Sequence, residues 1–129
     1  MAKISQITVT AESKPGVLAK VSDVLAKAGI NVLGVCAGET AGRGKIRFAV
    51  SDPARARRAL TAAKIRCAEE PALMLSLADR PGSLAAVAAR LAAARINVRC
   101  AYATTSGGGG DASVVIVVAN PDKAQKALG

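Results

Sequence analysis

Lys14-Pro15-Gly16-Val17-Leu18 leads into Gly29-Ile30-Asn31-Val32, and the same pattern returns as Arg80-Pro81-Gly82-Ser83-Leu84 leading into Arg95-Ile96-Asn97-Val98. Lys14 and Arg80 are 66 residues apart, as are Asn31 and Asn97. Over the 19 aligned positions the two stretches share 11 identities, eight of them other than alanine. A match of this length at a fixed offset is an internal duplication, and the rest of the chain is read against it.

Size alone would make 129 residues one domain, but a repeat of 66 residues also suits two very small domains, 1–70 and 71–129, that share an interface. The hydrophobic fraction of 51% with 21% charged residues excludes disorder. No apolar run approaches the roughly 20 residues of a membrane span. The opening Met1-Ala2-Lys3-Ile4-Ser5-Gln6 carries no apolar signal segment, which predicts a cytoplasmic chain. Cys36, Cys67 and Cys100 are odd in number, widely spaced and without any histidine. They suit three buried, reduced thiols better than a disulfide framework or a zinc site.

A net charge of +9 asks for an acidic partner, and nucleic acid is the first to test. The charges argue against it. Lys20, Lys27, Arg55, Arg57, Arg58, Lys64, Lys123 and Lys126 are spread along helix-like segments and read as a solvated outer face. One phenylalanine, one tyrosine and no tryptophan leave few rings on which bases could stack.

Both copies pass through the same sequence of periods. Ile7-Thr8-Val9-Thr10 alternates as a strand, as do Leu73, Leu75 and Leu77. Pro15 and Pro81 suit the first turn of a following helix. Val17, Leu18, Val21, Val24, Leu25 and Ala28 recur at helical spacing, so one face of that helix lies on a sheet. Gly29 stands where the helix should stop with positive φ, and Arg95 takes that place in the second copy. A hairpin follows: Asn31 to Cys36 and Lys45 to Val50 around a glycine-punctuated turn at 38–44, then Asn97 to Thr104 and Ser113 to Ala119 around Gly107–Gly110. Asp52-Pro53 and Asn120-Pro121 each give an N-cap followed by proline at the first helical position. Ile65 to Cys67 then makes a short last strand in the first copy only.

The order β-α-β-β-α-β is ferredoxin-like, an α+β class with antiparallel sheets and helices on one face. The second repeat lacks its last strand, because Leu128-Gly129 follow directly on its second helix. In the split βαβ topology this leaves the strand at Leu73 to Leu77 with a bare edge, to be paired by another segment of the chain or by a second copy in a homodimer.

With these residues in place, both copies resemble ACT domains, the small ligand-sensing modules of amino-acid metabolism. The resemblance rests on Asp79-Arg80-Pro81-Gly82-Ser83-Leu84 with Arg95-Ile96-Asn97-Val98, and on the looser Glu12-Ser13-Lys14-Pro15-Gly16-Val17-Leu18 with Gly29-Ile30-Asn31-Val32. It spans about residues 4–68 and 71–128 and is similar to free-standing tandem ACT proteins without a catalytic domain. It implies an amino acid held between such a loop and the second strand of a partner domain, with Glu12 or Asp79 receiving its ammonium group.

The residues themselves supply a physical basis for that expectation. A helix starting at Pro15 leaves the N–H groups of Gly16, Val17 and Leu18 without intrahelical partners, and the macrodipole favours a carboxylate there. Gly16 and Gly82 allow close approach to the backbone. Asn31 and Asn97 offer amide donors and acceptors to a zwitterion. The candidate ligand-binding residues are therefore Glu12, Lys14, Gly16, Val17, Leu18, Asn31 and Val32 in the first copy. In the second they are Asp79, Arg80, Gly82, Ser83, Leu84, Asn97 and Val98.

Catalysis finds no such support. There is no histidine for acid–base chemistry, no serine elbow and no thiol with a paired base. Gly107–Gly110 lacks the Gly-Lys-Ser/Thr ending of a phosphate loop. The resemblance thus implies a non-catalytic regulatory protein without cofactor, which binds an amino acid at ACT-domain interfaces, forms a homodimer and signals to a regulated enzyme or regulator. A purely structural association module is the second reading, and a basic nucleic-acid binder the third.

Overall fold

The computed structural model describes residues 1–105 and 110–129. The glycine loop expected at Gly107–Gly110 therefore lies outside the described residues, except for Gly110. The chain divides into two compact units, Ser5–Glu70 and Met1–Ile4 together with Pro71–Gly129. Its elements are β1 (Ala2–Glu12), α1 (Val17–Lys27), β2 (Val32–Thr40), β3 (Arg43–Val50), α2 (Pro53–Ala62), β4 (Cys67–Ala78), α3 (Ser83–Ala93), β5 (Cys100–Thr104), β6 (Asp111–Val117) and α4 (Pro121–Leu128).

In the first unit the strand order is β2-β3-β1-β4. β1 and β3 run antiparallel with Ile7 opposite Phe48 and Glu12 opposite Arg43. β2 and β3 form a hairpin from Val32 opposite Val50 to Thr40 opposite Arg43. Its turn is only Ala41-Gly42, both at positive φ (52° and 76°), which is the type I′ geometry that matches strand twist. Strand alternation puts Ile7, Val9, Ile46, Phe48 and Val50 on one face, where Val21 and Leu25 of α1 and Ala56 and Leu60 of α2 complete the core.

The second unit is built the same way. β4 pairs with β6 from Ala72 opposite Val117 to Ala78 opposite Asp111, and β5 pairs with β6 from Cys100 opposite Val117 to Thr104 opposite Ser113. Leu73, Leu75, Val114, Ile116 and Val118 meet Leu91 of α3 and Ala124 of α4 in its core. The bare edge expected along Leu73 to Leu77 has a neighbour, since β4 lies beside β1 in the strand order and Ala2–Ile4 of β1 belong to this unit. Lys3 Nζ bonds Asp122 Oδ1 at 2.7 Å, tying that segment to the first turn of α4. The hydrogen bond and charge of Lys3 hold the Asp122 carboxyl below its ordinary value.

Two expectations are corrected. Ile65 to Cys67 is not a separate strand: β4 starts at Cys67 and runs through to Ala78, so the last strand of one repeat and the first of the next are one piece of backbone. The helices begin later than Pro15 and Pro81, because Gly16 (φ 92°) and Gly82 (φ 90°) intervene as left-handed N-caps. Proline followed by glycine at positive φ is the central pair of a type II turn, closed in the second copy by Ser83 N–H to Arg80 O at 3.4 Å.

The helix ends behave as their residues dictate. Asp52 and Asn120 cap α2 and α4, accepting from Arg55 N–H and Lys123 N–H at 3.1 Å each, with proline next in line. Gly29 and Arg95 both take the left-handed conformation (φ 72° and 58°), with Ile30 N–H to Leu25 O and Ile96 N–H to Leu91 O bonds of 3.0 and 2.9 Å. Arg95 thus adopts the same C-cap as glycine, at a cost of about 1 kcal/mol for its Cβ. The eight basic residues read as a solvated face are all exposed, and the three cysteines are half-buried rather than buried.

Candidate functional site

Each unit carries one cavity where its first strand turns into its first helix. In the first unit a cavity of about 260 Å³ is lined by Ala11–Lys14, Val17 and Leu18, with Ala37, Gly38 and Glu39 from the end of β2 and Gly44 and Ile46 from β3. In the second, about 320 Å³ is lined by Leu77–Arg80, Ser83 and Leu84, with Ala101–Ala103 and Thr105 from β5 and its end and Ala112 and Val114 from β6. Ala11 faces Gly44 and Leu77 faces Ala112 in the two registers, so the cavities occupy equivalent places.

One equivalent backbone bond anchors the loop in each unit: Ser13 N–H to Gly42 O at 3.0 Å in the first and Asp79 N–H to Gly110 O at 2.8 Å in the second. A side-chain bridge then closes each loop onto the strand across the cavity. In the first unit Ser13 Oγ donates to Glu39 Oε2; in the second Thr105 Oγ1 donates to Asp79 Oδ2. Residues 13 and 79, and 39 and 105, are each 66 apart, so the two copies keep the bridge while exchanging which partner is the carboxylate.

The helix ends at these cavities differ from the others in the chain. α1 and α3 have no side-chain cap and no acidic residue in the first turn, whereas α2 and α4 are capped by Asp52 and Asn120. The first intrahelical bonds are Lys20 N–H to Gly16 O (2.9 Å) and Ala86 N–H to Gly82 O (3.0 Å), so the amides of Leu18, Ala19, Leu84 and Ala85 precede them. A Cβ built on Gly16 or Gly82 meets nothing within 4 Å, so the backbone is open to approach. An uncapped helix start beside an open glycine and a carboxylate can receive a carboxylate and an ammonium group together.

The candidate residues separate into two groups. Glu12, Lys14, Val17 and Leu18 line the first cavity, and Asp79, Arg80, Ser83 and Leu84 the second, with Gly16 and Gly82 at the adjoining helix starts. Asn31, Val32, Asn97 and Val98 are elsewhere. Asn31 precedes the Val32–Val50 end of the hairpin, seven residues from Arg43, roughly 23 Å along the strand at about 3.3 Å per residue. Its amide N–H donates to Ser51 Oγ at 3.0 Å and its carbonyl accepts from Ser51 N–H at 2.9 Å. Asn97 likewise precedes the Cys100–Val117 end of β5, away from Thr104. Sequence reasoning missed Glu39 and Thr105, which the 66-residue offset links through Ser13 and Asp79.

The family model for the ACT domain pair matches residues 2–128. A Bacteroides thetaiotaomicron protein of solved structure is 32% identical with a TM-score of 0.89, the match covering 98% of this chain and 86% of that one. The ligand-free regulatory subunit of aspartate kinase from Thermus thermophilus is 24% identical with a TM-score of 0.70, over 99% and 95% of the two chains. Its Thermus flavus counterpart is 22% identical at 0.68, over 98% and 93%. At these last two identities the likeness is one of fold. Among curated proteins no significant match is found. No helix among the described residues is long and apolar enough to cross a membrane.

Proposed function

Because the chain belongs to the ACT domain pair family, we propose that it is a non-catalytic regulatory protein whose two loop-to-helix cavities each take an α-amino acid. The observation that carries this reading is the pairing, in both units, of an uncapped helix start with the carboxylate of the side-chain bridge, Glu39 on β2 in the first and Asp79 on the loop in the second. The ligand carboxylate meets the first-turn amides of α1 or α3, and its ammonium group meets Glu39 or Asp79. Regulatory subunits of aspartate kinase share the fold, which supports a partner enzyme as the recipient of the signal. The partner responds because a ligand that fits one packing arrangement better than another shifts the balance between them.

A screen of the twenty amino acids by thermal unfolding tests the reading. At a hundred times its dissociation constant a ligand adds about 2.7 kcal/mol of stability, so at least one is expected to raise Tm by several degrees at millimolar concentration. No shift with any of them ends this reading and leaves the association module.

A homodimer is part of the proposal, on a different ground from the one the sequence suggested. β2 is the edge strand of the first unit, and Leu33 and Val35 on it are 46% and 48% exposed, with Leu18 of α1 at 46%. An apolar edge strand left bare invites pairing, and a second copy meeting it edge to edge closes the row. Sedimentation is expected to give twice the chain mass, and Val35→Lys to return it to one. A monomer at millimolar concentration sinks the dimer.

A further inference from the structure

Resting on the amino-acid reading, we infer that the second-unit cavity selects an α-amino acid with an aliphatic side chain, while the first is built against one. The argument runs through the positions where the copies differ. Ala11, Glu12 and Glu39 of the first cavity are replaced by Leu77, Ala78 and Thr105 in the second. The first cavity therefore has two carboxylates on its lining, and the second has Asp79 alone. Asp79 and Thr105 are bonded to one another and Ser83 opens the helix, so these polar groups belong to the end that holds the amino and carboxyl groups.

Apart from Arg80 and Tyr102, what remains of the second wall is apolar. Leu77 is half-buried against the core beside Val114, and Leu84 lies 58% exposed at the start of α3. Ala101 on the edge strand lines the second cavity at the position that Val35 holds in the first unit. An aliphatic side chain laid on this wall loses water from both surfaces, worth roughly fourfold in affinity per buried methylene. A cationic side chain there would lose hydration and meet no carboxylate beyond Asp79, and an acidic one would lose hydration with only the exposed Arg80 to answer it. Against Glu12 the preference inverts, since an aliphatic group would desolvate its carboxylate.

Isothermal titration of the full chain with leucine, isoleucine, valine, alanine, serine, aspartate and lysine tests the assignment. Leucine is expected to bind roughly fiftyfold more tightly than alanine, from its three further carbons, and more tightly than serine, aspartate or lysine. Two variants write first-unit residues into the second cavity at exposed positions: Ala78→Glu, the counterpart of Glu12, and Ala101→Val, the counterpart of Val35. Ala78→Glu should lower leucine affinity at least about tenfold, and Ala101→Val should lower it more for leucine than for alanine, with melting curves showing that both remain folded. Serine or lysine matching leucine, or unchanged leucine affinity in both variants, overturns the selectivity while amino-acid binding itself stands. Absence of binding by all seven to the unsubstituted chain overturns the inference, and the thermal screen of all twenty amino acids then decides whether the reading beneath it stands.

Discussion

Phe48→Ala is expected to destabilise the first unit by about 3–5 kcal/mol, which is a large part of the total stability of a small domain. Phe48 is the chain's one phenylalanine, 1% exposed, at the middle of β3. It faces Ile7 across one register and Val35 across the other, with Val21, Leu25 and Leu60 packed in the same core. Urea unfolding followed by circular dichroism would measure the loss. A change below 1 kcal/mol would mean that this core is not packed around Phe48.

Asp79→Asn is expected to weaken amino-acid binding in the second unit roughly ten- to hundredfold, since hydrogen bonds to charged groups are worth about 1.5–3 kcal/mol. The amide keeps the shape of the carboxylate and can still accept from Thr105, so Tm in the absence of ligand should move by less than a few degrees. Thr105→Ala serves as the comparison: it removes the bridge but leaves the charge that the ammonium group needs, and its effect on affinity should be smaller. Equal affinity of Asp79→Asn and the unsubstituted chain, by calorimetry, would remove Asp79 from the site.

Parts of this structure are legible in the residues because their chemistry is local. Asp52-Pro53 and Asn120-Pro121 mark helix starts since an N-cap side chain and a following proline act within three residues. The duplication likewise transfers the β-α-β-β-α order from one copy to the other. Pro15 and Pro81 misled by one turn because proline fits both a first helical turn and the second place of a type II turn; Gly16 and Gly82, at positive φ, decide for the turn. The asparagines misled for a topological reason. A helix of 11 residues carries the chain to the far end of the sheet before Asn31 or Asn97 is reached, so closeness to the repeat motif in sequence does not become closeness in space. Glu39 and Thr105 were obscured because the bridge swaps its carboxylate between copies. An alignment that rewards identity passes over a pair conserved only in its chemistry.

The long strand β4 and the membership of Ala2–Ile4 in the second unit bear on how the protein is made. Synthesis proceeds from the amino end, and the residues of the first unit, Ser5–Glu70, leave the ribosome as one uninterrupted stretch. The second unit is split in the chain: one of its strand segments precedes the first unit, and its Lys3 waits across 119 residues for Asp122. Its closure involves contacts of far greater sequence separation, which slows the search for them. The nascent protein is therefore ordered in time as well as in space, with every residue of the first unit translated before β6 and α4.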